Sequence, residues 1–155
     1  MNALQEVLTA KAAFAEPANV ISDVPFELAA VRPRGLPHSL YEELWHLDFW
    51  LQFSLALVRG EHPALPAHSS GSWPVDNDAL DEASWQGLLE RVRAGLDAAS
   101  ALAGDERELE RSFRPDRTVG DELTVVAAHN AYHLGRMVSL RQLLGIWPAE
   151  LGDTW

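Results

Sequence analysis

The chain contains no cysteine among its 155 residues. That excludes disulfides, thiolate nucleophiles and sulfur-ligated metals, so any thiol chemistry needs a thiol from outside. The same absence fits a reducing cytoplasm, the expected location. Basic residues are scarce as well: 12 Lys and Arg stand against 23 Asp and Glu, a formal net charge of -11. Nucleic acid is therefore not an expected partner, because phosphate recognition needs clustered Lys and Arg. An anionic membrane surface is disfavoured on the same grounds. No apolar run is long enough to span a bilayer. The first fifteen residues lack a basic leader, and Gln5, Glu6 and Lys11 interrupt their apolar character, so they read as a helix and not as a signal peptide. Internal repeats and low-complexity tracts are also missing.

What is present is 47% hydrophobic residues, enough for one domain over residues 1–155 with a substantial core. Asn2 to Ala15 predicts an amphipathic helix with Leu4, Val7, Leu8 and Ala12 on one side. Pro17 interrupts it, having no N–H to donate. Short helical turns are expected at Val20 and Ile21 and over Pro25 to Ala30, before the loop Arg32-Pro33-Arg34-Gly35-Leu36-Pro37. Ser39-Leu40-Tyr41-Glu42 is a capping box, opening a second helix that runs to about Arg59 and stops at Gly60. This helix is apolar nearly all round, which predicts burial on several sides. Glu61 to Asn77 is a long connection, able to carry the chain to the far end of a bundle so that the next helix runs parallel to the last. The third helix is expected from about Asp78 to Ala103, on the stripe Trp85, Leu88, Leu89, Val92, Leu96, Ala99 and Leu102. Asp105 to Arg117 reads as a short helix and a loop. Thr118-Val119-Gly120-Asp121 is a second capping box, and the fourth helix runs from it to about Leu144, with Gly145 in the stop position. Four helices and no convincing strands define an all-α four-helix bundle with a long crossover between helices 2 and 3.

Two histidines, His129 and His133, stand four residues apart on the fourth helix and so project from one face. That spacing lets two imidazoles hold one metal ion. His46 sits well inside the second helix and is the candidate third ligand. Three neutral imidazoles with an open position suit catalytic zinc, and nickel, iron and manganese also accept them. An isolated HxxxH pair more often serves structure than metal; the third histidine reverses that balance. The loop residues His38, His62 and His68 are expected to be solvated or capping. Glu42 already serves the capping box. Trp45, Phe49, Trp50 and Phe53 read as core and not as a ligand cage, and Arg111, Arg114 and Arg117 as a solvated loop face. A ferritin-like carboxylate di-metal bundle, which needs Glu-x-x-His motifs on paired helices, is not expected either at His46 or at the fourth-helix pair.

The segment Leu44-Trp45-His46-Leu47-Asp48-Phe49-Trp50 is followed much later by His129-Asn130-Ala131-Tyr132-His133-Leu134-Gly135-Arg136 and then Leu143-Leu144-Gly145-Ile146-Trp147-Pro148. Together with Ser72-Trp73-Pro74 in the crossover, these stretches resemble the DinB/YfiT-like metalloprotein family over essentially the whole chain. The resemblance implies up-down-down-up connections and a divalent metal, zinc or nickel before iron or manganese, on His46, His129 and His133. It also implies transfer of a low-molecular-weight thiol, as co-substrate, onto a small electrophilic molecule, and it is compatible with a homodimer. In that topology the second and fourth helices are antiparallel. Glu42 and Arg136 would then flank one mouth, where either could orient a metal-bound water or a substrate carboxylate, with Glu122 toward the other end. Metal-dependent hydrolysis is the alternative activity, slightly disfavoured because no obvious general base accompanies the three histidines. A non-enzymatic binding or dimerisation module, with a structural metal or none, is the rival class.

Overall fold

Ser39 opens the most buried long helix. Its hydroxyl accepts from the Glu42 amide and the Glu42 carboxylate accepts from the Ser39 amide, so both halves of the expected capping box form around α4 (Leu40–Val58). Gly60, at a φ of 83°, closes that helix. Glu61 N–H reaches Ala56 O at 3.0 Å and Gly60 N–H reaches Leu57 O at 2.9 Å, satisfying carbonyls that a side chain with Cβ would struggle to cap in this geometry. The computed structural model describes residues 1–9, 15–75 and 80–148, and within them the chain is mostly helical. Before α4 come α1 (Ala3–Leu8), α2 (Pro17–Ile21) and α3 (Phe26–Ala29). After it come a single 3-10 turn (Ser69–Ser72), α5 (Glu82–Ala103), α6 (Glu106–Glu110), a small hairpin of β1 (Ser112–Arg114) and β2 (Arg117–Thr118), and α7 (Val119–Leu143).

Three boundaries differ from expectation. The first helix ends at Leu8, with the Thr9 hydroxyl donating to Gln5 O at 2.8 Å; Ala12 lies outside the described residues. α5 begins at Glu82 because the Asp81 carboxylate caps the Ser84 amide at 2.7 Å, and the expected start at Asp78 lies outside the described residues. The loop after α6 is an antiparallel hairpin, Ser112 opposite Thr118 and Arg114 opposite Arg117. Pro115 and Asp116 supply its turn, as their fixed φ and short polar side chain favour.

α4 packs against both α5 and α7. Glu43 meets Arg136, His46 meets His129 and Ser54 meets Glu122, so α4 and α7 run antiparallel. Asp48 meets Arg91, and Leu51 and Gln52 meet Gly95, so α4 and α5 run parallel after the long crossover. Asn2 bonds Ala103 O and Gln5 bonds Ser100 O, so α1 runs against α5. Leu44, Leu47 and Leu51 of α4, Trp85 and Val92 of α5, and Leu123 and Met137 of α7 are buried between these helices. Each such side chain contributes roughly 1.5–3 kcal/mol on burial. Gly95 permits the closest approach: a Cβ there would fall 2.8 Å from Leu51 Cδ2. Arg141, 1% exposed, ties the N-terminal turns to α7 by donating from Nη1 to Asn19 O, Val20 O and Ser22 O. Among the described residues no helix is long and apolar enough to cross a membrane.

Candidate metal site between α4 and α7

His46 comes from the middle of α4, and His129 and His133 from successive turns of α7, so the antiparallel packing of two long helices sets all three. Each offers a ring nitrogen, and the three atoms lie within 4.8 Å of one another. His46 Nε2 and His129 Nε2 face each other at 3.4 Å. His46 and His133 are buried, and His129 is half-buried. Among the described residues these three form the one group of His, Asp or Glu able to converge on an ion. The three predicted ligands are thus brought together.

The far side of two rings is keyed by an obligate acceptor. His46 Nδ1 lies 2.7 Å from Ser72 O, and His133 Nδ1 lies 2.7 Å from Glu43 Oε2. A carbonyl and a carboxylate can only accept, so Nδ1–H is the donor in each pair and Nε2 keeps its lone pair for the shared centre. Glu43 has a fully buried side chain and takes a second bond from Arg136 Nε at 2.7 Å. Arg136 Nη1 in turn donates to the Tyr132 hydroxyl at 3.1 Å.

The electrostatics favour uncharged imidazoles. Burial pushes His129 down to about 4, with the neighbouring His133 and His46 adding to the shift, and burial likewise lowers His46. Burial alone would raise Glu43, but the bonds from His133 and Arg136 outweigh it and hold the carboxylate below its ordinary range. His46 and His129 are thus held as neutral donors with one anion behind the group, an arrangement that suits a divalent cation.

The crossover adds a lid of aromatic rings. Trp73 stacks on His46 at 4.0 Å and 12°, and His38 stacks on the other face of Trp73 at 3.7 Å and 8°. His38 is therefore part of the site's wall and not simply solvated, whereas His68 caps the 3-10 turn through Ser70 N–H and His62 is exposed, as expected. Trp50 meets His46 edge-on, while Trp45 packs against the core.

Arg136 lies beyond His133 on α7, and its partner is Glu43, not the Glu42 expected on the same side of the site. Glu42 points elsewhere: Arg32 clamps its carboxylate and Ser39 N–H adds a third bond, together drawing it down to about 2 against the opposing effect of burial. Glu122 lies at the other end, held by Ser54 and by Arg117. Arg117 thus leaves the solvated face expected for the arginine cluster, whereas Arg111 pairs with Glu108 and Arg114 lies over Phe113.

Sequence reasoning missed Glu43, Ser72 and Trp73 as parts of the site. Glu43 had a visible signal, since it precedes His46 by three residues and lies in an apolar helix where an ionised group needs a partner. Glu43 therefore corrects the expectation that no Glu-x-x-His spacing exists at His46, but its carboxylate addresses the back of His133 and not the shared centre. Ser72 acts through its backbone carbonyl, which no residue type announces.

Fold and site together define a mostly helical protein in which two antiparallel helices present a three-histidine group able to bind a metal ion. The chain belongs to the DinB superfamily, whose family model matches residues 11–137, a span that holds all three histidines. No curated protein and no solved structure matches the chain.

Proposed function

We propose that this protein is a metal-dependent enzyme built as a single four-helix bundle with up-down-down-up connections, and that His46, His129 and His133 are the ligands of one divalent ion. The helix directions around α4 support the topology. The observation that carries the metal reading is the keying of His46 and His133 from behind, which aims two Nε2 lone pairs at the point that His129 also faces. A bound zinc or nickel ion would supply Lewis acidity, lowering the pKa of a thiol or a water in the remaining position.

The chain's own residues do the rest. Ser72 O and Glu43 hold the tautomers, Arg136 neutralises Glu43, and Trp73 and Trp50 shield one side of the histidines from water. Transfer of a low-molecular-weight thiol onto a small electrophile is the favoured reaction, because membership of the family is joined to a chain with no thiol of its own. Hydrolysis is the second reading; Glu43, the carboxylate nearest the site, has both oxygens engaged and is poorly placed as a general base. A cytoplasmic setting, a small-molecule partner and a homodimer belong to the same proposal.

The test is the metal content of the purified untagged protein beside His133→Ala. About one equivalent of a divalent metal in the parent, lost in the variant, is the expected result, followed by thiol-transfer activity with that metal. A parent that stays empty after incubation with zinc, nickel, iron and manganese would return the protein to the class of binding modules. A parent that unfolds on chelation would make the metal structural.

A further inference from the structure

One face of α4 and one of α7 line a cavity of about 180 Å³. It begins at the histidines themselves. His129, whose Nε2 faces His46 at 3.4 Å, forms part of its wall, and so does Trp50, which meets His46 edge-on with ring centroids 6.4 Å apart. From there it follows α4 on toward Ser54 and α7 back toward Glu122. Phe53, Val125 and Val126 make most of the remaining wall apolar, and Phe53 packs edge-on against Trp50 at 5.3 Å. Val125 is 51% exposed, which gives the cavity an opening to solvent. On the other flanks of the histidines, the Trp73 ring lies against His46 and the Tyr132 ring against His133. The volume compares with an apolar cavity of about 150 Å³ that holds one benzene ring. Glu122 is the one carboxylate of the wall, and it already accepts from Ser54 Oγ at 2.6 Å and Arg117 Nε at 2.9 Å. An anion would meet that carboxylate, and a cation would have to share oxygens that two donors hold. Either would lose its hydration without gaining a counter-ion of its own.

We propose that this cavity seats the apolar arm of the organic substrate, an uncharged group about one ring in size, and that Trp50, Phe53 and Val126 decide which substrates reach the histidines. The inference rests on the metalloenzyme reading and deepens it by naming the substrate class.

The test titrates toluene into the 15N-labelled full chain, once stripped with chelator and once loaded with zinc, with benzoate and benzylammonium as charged counterparts. Saturable toluene shifts are expected at the backbone amides of Val125, Val126 and His129. Both charged probes should bind at least about tenfold more weakly. Val126→Phe should fill the cavity and abolish toluene binding. Phe53→Ala, at a half-buried position, should enlarge it and bind naphthalene at least about tenfold more tightly than the parent does. Toluene without saturable shifts in the stripped and the loaded protein alike, shifts confined to other parts of the chain, equal binding of either charged probe, or naphthalene bound equally by the parent and Phe53→Ala would each overturn the proposal. Toluene binding by a protein that fails to take up zinc would support the cavity while refuting the metal site.

Discussion

Replacing Glu43 by glutamine tests whether a buried carboxylate tunes the histidine group. Glutamine keeps the shape but offers one acceptor where two donors converge, His133 Nδ1–H and Arg136 Nε–H, each 2.7 Å from a separate carboxylate oxygen. One charge-assisted bond is lost, about 1.5–3 kcal/mol, and an N–H is left facing an NH2 in a fully buried place, about 1–3 kcal/mol more. The sum, about 2.5–6 kcal/mol, brackets the usual cost of about 3–5 kcal/mol for breaking a buried ion pair. Chemical denaturation of the metal-free protein should show that loss as a lower midpoint. Isothermal titration with zinc should show affinity reduced about 10–100-fold, the common penalty for removing the group that orients a ligating histidine. Glu42→Gln is the control. Its partner Arg32 is 54% exposed, so the pair is worth at most about 1 kcal/mol, and glutamine still serves a capping box. Zinc affinity should not change in that variant. Equal zinc affinity in parent and Glu43→Gln, or an equal loss in both variants, would refute the assignment.

Other consequences follow from the same geometry. The metal-free protein should lose stability in acid. His129 titrates near 4 in the fold against 6.5 in the open chain, so the unfolded state binds this proton more tightly. Its contribution is full above about pH 6.5, declines on acidification to about 4 and is constant below. The shift corresponds to at most on the order of 3 kcal/mol, and solvent screening at this partly exposed ring reduces it to about 1–2 kcal/mol. Glu43, lowered in the fold, acts in the same direction at more acidic pH; a melting temperature independent of pH between 7 and 4 would contradict the His129 assignment. Metal bound at His46 Nε2 requires the proton on Nδ1, which bonds Ser72 O, so zinc should slow hydrogen exchange across residues 69–73; unchanged exchange at saturating zinc would deny the coupling. Gly95→Ala should destabilise by about 1–3 kcal/mol despite alanine's better helix propensity, because the added Cβ meets the fully buried Leu51; a stabilised variant by thermal melting would mean that α4 and α5 can separate at no cost.

The local signals in the chain were sufficient for its long helices. The capping boxes at Ser39 and Thr118 and the stop glycines Gly60 and Gly145 act within a few residues of themselves, so their outcome hardly depends on the rest of the fold. The HxxxH spacing likewise determined that His129 and His133 share a face, since one helical turn is the same wherever the helix lies. Bringing His46 to them was a matter of packing: only the antiparallel seating of α4 on α7 places Nε2 atoms from residues 83 positions apart within 3.4 Å. The remaining decisions were made at still longer range. Glu43 reaches His133 and Arg136 across the helix pair, and the crossover lays the Ser72 carbonyl and the Trp73 ring against His46. A glutamate in an apolar helix and a backbone carbonyl carry no mark of their partners in the sequence. Which groups meet is set by how rigid helices and one long connection pack, because buried polar atoms must find partners wherever the tertiary structure puts them.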